Sequence, residues 1–375
     1  MKKFETPILV TRPWLPPLEE FSQGLAEIWK NQWLTNNGPV LERFQAALAQ
    51  QLGLSTRNLS LFANGTLALE LMFQTLGLAG AEVVTTPFTF VATSHALRRI
   101  GAIPVFADVD PETLCLSPEA AERMITSRTK AIVPVHVYGH PCDIDGFARL
   151  GEKYGLKIVY DAAHSFGVTL DGASIATYGD ASMFSFHSTK LFHSIEGGLL
   201  TFRDATIQGG LECLRNFAIT SETTCDAIGT NAKMNEFAAL MGCCGLRQLP
   251  DLIAHRKAIY EIYAQAFEGT PVKLLARPTH MARHTVGHNY AYCPVLLPDF
   301  ETRESVYARL KAFNVFTRRY FYPLLSAFAP YQDTRGNTPI AKKAADCVLT
   351  LPTYHGLALE DVRVIAQNVV ELVQC

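Results

Sequence analysis

The 375-residue sequence lacks any long basic run, any apolar stretch that could cross a membrane and any Cys-x-x-Cys pair. With 33 Lys and Arg against 35 Asp and Glu, the formal net charge is -2. A dedicated nucleic-acid binder needs a positive patch to displace counterions, so that class is not expected. The nine cysteines are odd in number and signal neither a disulfide framework nor a zinc site; buried, reduced thiols are expected instead. The start, Met1-Lys2-Lys3-Phe4-Glu5-Thr6-Pro7, has no signal-peptide core. The uncharged run Val83–Leu97 is too short for a membrane span and carries Pro87, Ser94 and His95. These absences point to a cytoplasmic protein. Also missing are G-x-G-x-x-G after a candidate strand, G-x-x-x-x-G-K-[ST], H-E-x-x-H and G-x-S-x-G, which disfavours a dehydrogenase or a P-loop enzyme.

What is present is an ordinary hydrophobic content of 48%, on a chain long enough for one large and one small domain. Leu18, Phe21, Leu25, Ile28 and Trp29 recur at helical spacing, and Asn36-Asn37-Gly38-Pro39 reads as a turn before a second helix. Strand-like runs follow at Glu82–Thr86, Pro104–Phe106, Ala131–Val137, Lys157–Tyr160, Ser182–Phe186 and Gly198–Phe202. Helix patterns at 66–77, 90–100, 117–126 and 143–154 lie between them. This alternation predicts an α/β fold with a mainly parallel sheet, whose ligands sit beyond the carboxyl ends of its strands. After residue 250 the pattern becomes that of a smaller α+β unit, with helices at 251–268, 301–313 and near 358–373. Domains at 1–250 and 251–375 are therefore expected.

Three features fall at strand ends. Asn64-Gly65-Thr66 opens a helix, where free N–H groups and the positive end of the dipole suit a phosphate, although the same residues are an ordinary N-cap. Asp161 follows the strand Lys157–Tyr160, where a carboxylate needs a partner or serves as a cap. Lys190 lies in Phe184-Ser185-Phe186-His187-Ser188-Thr189-Lys190, unlike a solvated surface lysine; a desolvated amine can form a Schiff base. Together they make a coherent device. A helix N-terminus, a carboxylate and a lysine match the phosphate, ring nitrogen and aldehyde of pyridoxal 5'-phosphate.

The sequence resembles the DegT/StrS family of sugar aminotransferases over nearly its whole length. The resemblance is carried by Asn64–Leu69, Pro87–Thr93, Pro134–Gly139, Tyr160–His164, Ser185–Lys190 and Lys233-Met234-Asn235-Glu236. It implies the type I, aspartate-aminotransferase-like fold. It makes Lys190 the Schiff-base lysine and Asp161 the partner of the pyridinium nitrogen. Gly65, Thr66 and Ser185 become phosphate contacts, Phe90 the aromatic stacked on the ring, and His164 the neighbour of the phenolic oxygen. It also implies a homodimer in which Asn235 completes the neighbouring active site. No metal is implied.

Ser185-Phe186-His187 and Glu196-Gly197-Gly198 resemble members that aminate C4 of a nucleotide-linked 4-keto-6-deoxy sugar. Val10-Thr11-Arg12-Pro13 and Arg318–Leu324 look closest to the branch forming dTDP-4-amino-4,6-dideoxyglucose, with L-glutamate as amino donor. A C3 aminotransferase and a regulatory protein on a retired enzyme fold are the alternatives. Arg318, Arg319, Tyr320 and Tyr322 are candidate contacts for the sugar nucleotide, and a solvated basic pair with core tyrosines is the plainer reading of the same residues. His187 and His193, flanking the lysine, read as structural.

Overall fold

Asn64, Ser117, Asp143 and Asn235 each precede a helix and accept a backbone N–H from its first turn, as short polar side chains do at helix starts. Gly155 ends the helix that Asp143 opens, and Gly53 ends another, both in the left-handed conformation, which a residue without Cβ adopts at no steric cost. The computed structural model, which describes residues 1–374, shows what these signals delimit. The helices are α1 (Leu18–Asn31), α2 (Pro39–Leu52), α3 (Gly65–Thr75), α4 (Val91–Arg99), α5 (Pro118–Met124) and α6 (Ile144–Tyr154). They are followed by α7 (Gln208–Leu214), α8 (Glu236–Phe267), α9 (Phe300–Ala312), α10 (Pro339–Cys347) and α11 (Leu359–Gln374).

Strand β1 (Ile8–Leu9) stands apart from the central sheet, which is built from β2 (Leu59–Phe62), β3 (Glu82–Thr85), β4 (Ile103–Phe106), β5 (Thr129–Ile132) and β6 (Lys157–Asp161). The short pair β7 (Thr169–Leu170) and β8 (Ala173–Ser174) precedes its last two members, β9 (Ala181–Ser185) and β10 (Gly198–Phe202). The order is β2-β10-β9-β6-β5-β3-β4, and only β10 runs against its neighbours. The mainly parallel α/β sheet is as expected. Successive strand residues face opposite ways, so Val83, Ala131 and Val159 enter one core with α3, α4 and α7. Val84, Ile132 and Ile158 enter the other with α2, α5, α6 and the start of α8. Both faces are covered, which is why these strands read as unbroken apolar runs.

The exposed hairpin of β11 (Ile219–Ser221) and β12 (Thr224–Cys225) leads towards α8. Beyond α8 lie β13 (Lys273–Leu274), β14 (His280–Met281), β15 (His284–Gly287), β16 (Cys293–Leu296), β17 (Val315–Phe316) and β18 (Val348–Leu351). β13, β16 and β18 form an antiparallel sheet, packed with α9, α11 and the second half of α8 around Ile259, Tyr263, Val295 and Ile365. β14 and β15 extend β7 and β8.

The division expected at 250/251 needs correction in two places. Pro250 lies inside α8, which runs unbroken for 32 residues from the larger core into the smaller one. The missing N–H of a proline reads as a helix start, but packing on both sides holds the helix together here. Residues near the N-terminus also join the smaller domain: Phe4 and Ile8 sit in its core, and β1 pairs with β17. The cysteines depart from expectation at one position. Cys115, Cys142, Cys244, Cys293 and Cys347 are buried, Cys213 and Cys243 partly so, yet Cys225 is exposed on its hairpin; Cys375 lies outside the described residues. Among the described residues no helix is long and apolar enough to cross a membrane.

Candidate active site

The carboxyl ends of β2, β3, β6 and β9 converge on a cavity of about 290 Å³ lined by Gly65, Thr66, Phe90, Asp161, His164, Ser185 and Lys190. Gly65 and Lys190, 125 positions apart in sequence, thus share one space, at the strand ends where open α/β sheets bind ligands.

Asp161 ends β6 and is only 4% exposed. Its Oδ1 accepts the Ala163 N–H at 3.1 Å and its Oδ2 accepts the Thr93 hydroxyl at 2.6 Å. Burial holds the carboxyl above its ordinary range, opposed by the Thr93 and Ala163 hydrogen bonds and the charge of Lys190. An acid so placed favours a cation beside it.

Lys190 follows β9 on a turn closed by its N–H to the His187 carbonyl at 2.9 Å. Phe186 and Phe192, 4.8 Å apart and edge to face, anchor this turn, and Phe166 stacks on Phe192 at 4.6 Å. The amine is therefore presented by a rigid support. Lys190 Nζ donates to the Tyr292 hydroxyl at 3.3 Å.

Asn64 Oδ1 accepts the Leu67 N–H at 2.9 Å. Since the first N–H groups of a helix have no carbonyl one turn back, those of Gly65 and Thr66 remain for a ligand at the cavity wall. Space there is tight. A Cβ on Gly65 would lie 2.7 Å from the Met183 sulfur, and one on Gly198 would lie 2.6 Å from the backbone of Asn64.

Phe90 is 58% exposed, an aromatic ring open to the cavity at the start of α4. His164 is buried, and burial together with the charges of Lys190 and Arg277 holds its imidazole neutral, well below the usual histidine range. Its Nδ1 accepts the Tyr138 N–H at 3.1 Å, so the neutral ring carries its proton on Nε2. From the smaller domain Tyr320 and Phe321 close the cavity, with Phe321 parallel to both His164 and Tyr138 at about 6 Å.

The set fits pyridoxal phosphate. A buried acid, an anchored amine, free amides at a helix N-terminus beside Ser185, and an uncovered aromatic face supply one partner for each part of that molecule. No group of three or more His, Cys, Asp or Glu able to hold a metal ion occurs among the described residues.

Of the other sequence candidates, Tyr320 and His187 line the cavity and the rest lie elsewhere. Arg319 is tied to Glu304 at 2.8 and 2.9 Å and stacks on Tyr307, while Tyr322 packs on Arg303. Neither lines the cavity, and partners within the smaller domain engage both. Arg318 is exposed and bridges Thr350 through its backbone; only Tyr320 of this group lines the cavity. Asn235 is the exposed N-cap of α8 and accepts the Ala238 N–H at 2.9 Å, outside this cavity. His193 is structural, its two nitrogens bonded to Trp14 O and Ile195 N. His187 lines the cavity, with Nδ1 engaged by Thr189 and Nε2 3.5 Å from Glu196.

Sequence reasoning missed Thr93, Tyr292 and Phe321. Thr93 left a trace, four residues after Thr89 on what becomes one helical turn. Tyr292 and Phe321 left none, since their roles arise only when the smaller domain folds back.

The family model described as DegT/DnrJ/EryC1/StrS aminotransferase family matches residues 18–370. A dTDP-4-amino-4,6-dideoxy-D-glucose transaminase of Shigella dysenteriae is 39% identical over 372 residues, 98% of this chain and 100% of that one. The solved structure of DesI in the presence of its TDP-sugar product has a TM-score of 0.92 at 34% identity, covering 100% of this chain and 94% of that one. Spr1654 of Streptococcus pneumoniae in its PLP form has a TM-score of 0.89 over 98% of this chain and 99% of that one; at 22% identity this is a likeness of fold.

Proposed function

The chain belongs to the DegT/DnrJ/EryC1/StrS aminotransferase family and is a pyridoxal-phosphate-dependent transaminase of type I fold; from that premise we propose that it moves the amino group of L-glutamate to C4 of dTDP-4-dehydro-6-deoxy-D-glucose. The observation that carries this reading is the meeting of Lys190, Asp161 and the N-terminus of α3 in one cavity. The C4 assignment draws on the relative acting on dTDP-4-amino-4,6-dideoxy-D-glucose and on Ser185-Phe186-His187 with Glu196-Gly197-Gly198.

Pyridoxal phosphate, when bound, supplies an aldehyde for amines and a protonated ring that accepts electrons from a broken C–H bond. The protein's residues do the rest. Asp161 would hold the ring nitrogen in its protonated form. Gly65 and Thr66 N–H groups, with the Ser185 hydroxyl, would hold the phosphate. Phe90 would cover the ring, and His164, with its proton on Nε2, would donate to the phenolic oxygen. Lys190 Nζ would hold the aldehyde and would accept the α-proton of glutamate as general base. Tyr320 and Phe321 narrow the cavity over the reacting atoms and exclude water. Arg318 remains the candidate for the diphosphate.

The active unit is a homodimer in which Asn235 of each chain reaches the partner's phosphate site. Supporting this, large apolar residues stand exposed on single-chain surfaces: Leu18 at 79%, Trp29 at 69% and Ile228 at 89%. Such exposure suits an interface. The eight free thiols among the described residues fit a reducing compartment, the cytoplasm.

The test is to incubate the purified protein with cofactor, L-glutamate and a panel of dTDP-, UDP- and GDP-linked keto sugars, then locate the new amine by NMR. An amine at C4 of the dTDP sugar is expected, with Lys190→Ala inactive. An amine at C3, or turnover only with another nucleotide, would overturn the substrate assignment.

A further inference from the structure

Tyr292 lies 102 residues from Lys190 in sequence, on the approach to β16, yet its hydroxyl meets the Lys190 amine at 3.3 Å. We propose that Tyr292 is the positioning residue for the Lys190 amine, aiming its lone pair at the donor's α-carbon during proton transfer. The proposal rests on the reading of Lys190 as the general base.

A neutral primary amine has two N–H bonds and one lone pair, and it rotates freely about Cε–Nζ. Only the lone pair can take a proton. When one N–H is held by a fixed acceptor, rotation is restricted and the lone pair points in a defined direction. Such orientation has kinetic value because proton transfer demands close alignment of donor and acceptor. The proton itself moves from the donor's α-carbon to Nζ; Tyr292 neither gains nor loses one.

The acceptor must be more rigid than the lysine, and Tyr292 is. Arg277 is buried, and its Nη2 donates to the carbonyl of Tyr292 at 3.3 Å and to that of Tyr138 at 2.7 Å. This guanidinium ties the strand carrying Tyr292 to the wall of the larger domain. The phenol ring packs on His164 at 4.6 Å and on Tyr138 at 5.9 Å, and Tyr320 meets it edge to face at 6.3 Å. Aromatic neighbours on several sides leave the ring little freedom. The hydroxyl is thus held between the two cores: Tyr292 directly precedes β16 of the smaller sheet, while its ring packs against the larger core that carries the amine. Seating of the start of β16 against that core becomes a condition for orienting the amine.

Tyr292→Phe removes the hydroxyl and keeps the packing. The experiment follows the spectral change of the bound cofactor when L-glutamate alone is added to the holoenzyme, using ordinary glutamate and glutamate deuterated at the α-carbon. In Tyr292→Phe the half-reaction should slow about tenfold, the worth of one hydrogen bond. The deuterium isotope effect should rise, and cofactor affinity and KM for the sugar nucleotide should stay within about twofold of the parent. A purely structural role would lower cofactor affinity without changing the isotope effect, and that result overturns the proposal. So does an unchanged rate with an unchanged isotope effect. If the parent protein itself gives no spectral change with glutamate, the aminotransferase reading fails first, and the two failures are told apart.

Discussion

Thr93 Oγ1 donates a 2.6 Å hydrogen bond to Asp161 Oδ2, and lies 3.0 Å from the hydroxyl of Thr89. Thr93 sits in the first turn of α4, three residues after Phe90, whose ring faces the same cavity. The start of one helix therefore carries both an open aromatic face on the cavity and the support for its buried acid.

Thr93→Val should weaken the cofactor's hold at acid pH. The Thr93 hydrogen bond opposes the burial that raises the Asp161 carboxyl, so its loss moves protonation of Asp161 to higher pH. A protonated Asp161 cannot pair with a ring cation. Cofactor affinity measured against pH by fluorescence should show the acid-side loss beginning at higher pH in the variant, with about tenfold weaker binding on that limb. Coincident curves would remove Thr93 from the site.

Asp161→Asn should stabilise the protein without cofactor. The folded-state carboxyl is raised above its ordinary value, so between those two values the native state holds a proton that the unfolded chain has released. Stability from this group is present at low pH and falls as pH rises through the raised value. At neutral pH the fold then carries a buried charge that Asn lacks. The Tm of cofactor-free Asp161→Asn should exceed that of the parent at pH 7, and the difference should vanish in strong acid. The same variant should bind cofactor yet lose most of its rate, a stability gain made at the expense of function.

Gly198→Ala should damage the phosphate end of the site. The added Cβ would stand 2.6 Å from the Asn64 carbonyl carbon and oxygen and 2.7 Å from Gly65 N, and backbone cannot move aside as a side chain can. A loss of about 1–3 kcal/mol in stability is expected. Cofactor affinity should fall with it, measured by denaturant unfolding and cofactor titration of one preparation. Stability equal to the parent's would show that the turn before α3 yields more easily than its packing suggests.

Asn235 can be tested by subunit mixing. Lys190→Ala and Asn235→Ala homodimers should each be nearly inactive. If Asn235 serves the partner's site, a hybrid of the two has one site with both defects and one with neither, and mixing restores activity. No recovery on mixing, with hybrids verified by mass, would place Asn235 in its own chain's service. Its bond to Ala238 would then be its whole role.

Much of the site was legible because its chemistry is local. The acid ends a strand, the amine follows a strand on an aromatic-rich turn, and the free amides at the cavity wall open a helix; each arrangement leaves its mark within a few residues. The central strands other than β2 were legible for the same reason, their apolar runs reporting burial on both faces. β14 and β17 were missed because a two-residue segment becomes a strand only through a remote neighbour; β15 is half exposed and carries no apolar run. The helix predicted from 251 in fact starts at Glu236, since Pro250 reads locally as a start while packing carries α8 across it.

The sequence by itself determined the family, the α/β alternation behind a mainly parallel sheet, and the cofactor, because those depend on residue type and short spacing. Only the tertiary structure decided which small-domain residues reach the amine. It set Tyr292 against Lys190, gave Arg319 to Glu304, and brought Phe321 beside His164. Contacts between segments a hundred residues apart have no period along the chain; they exist only once two cores have formed and seated against each other.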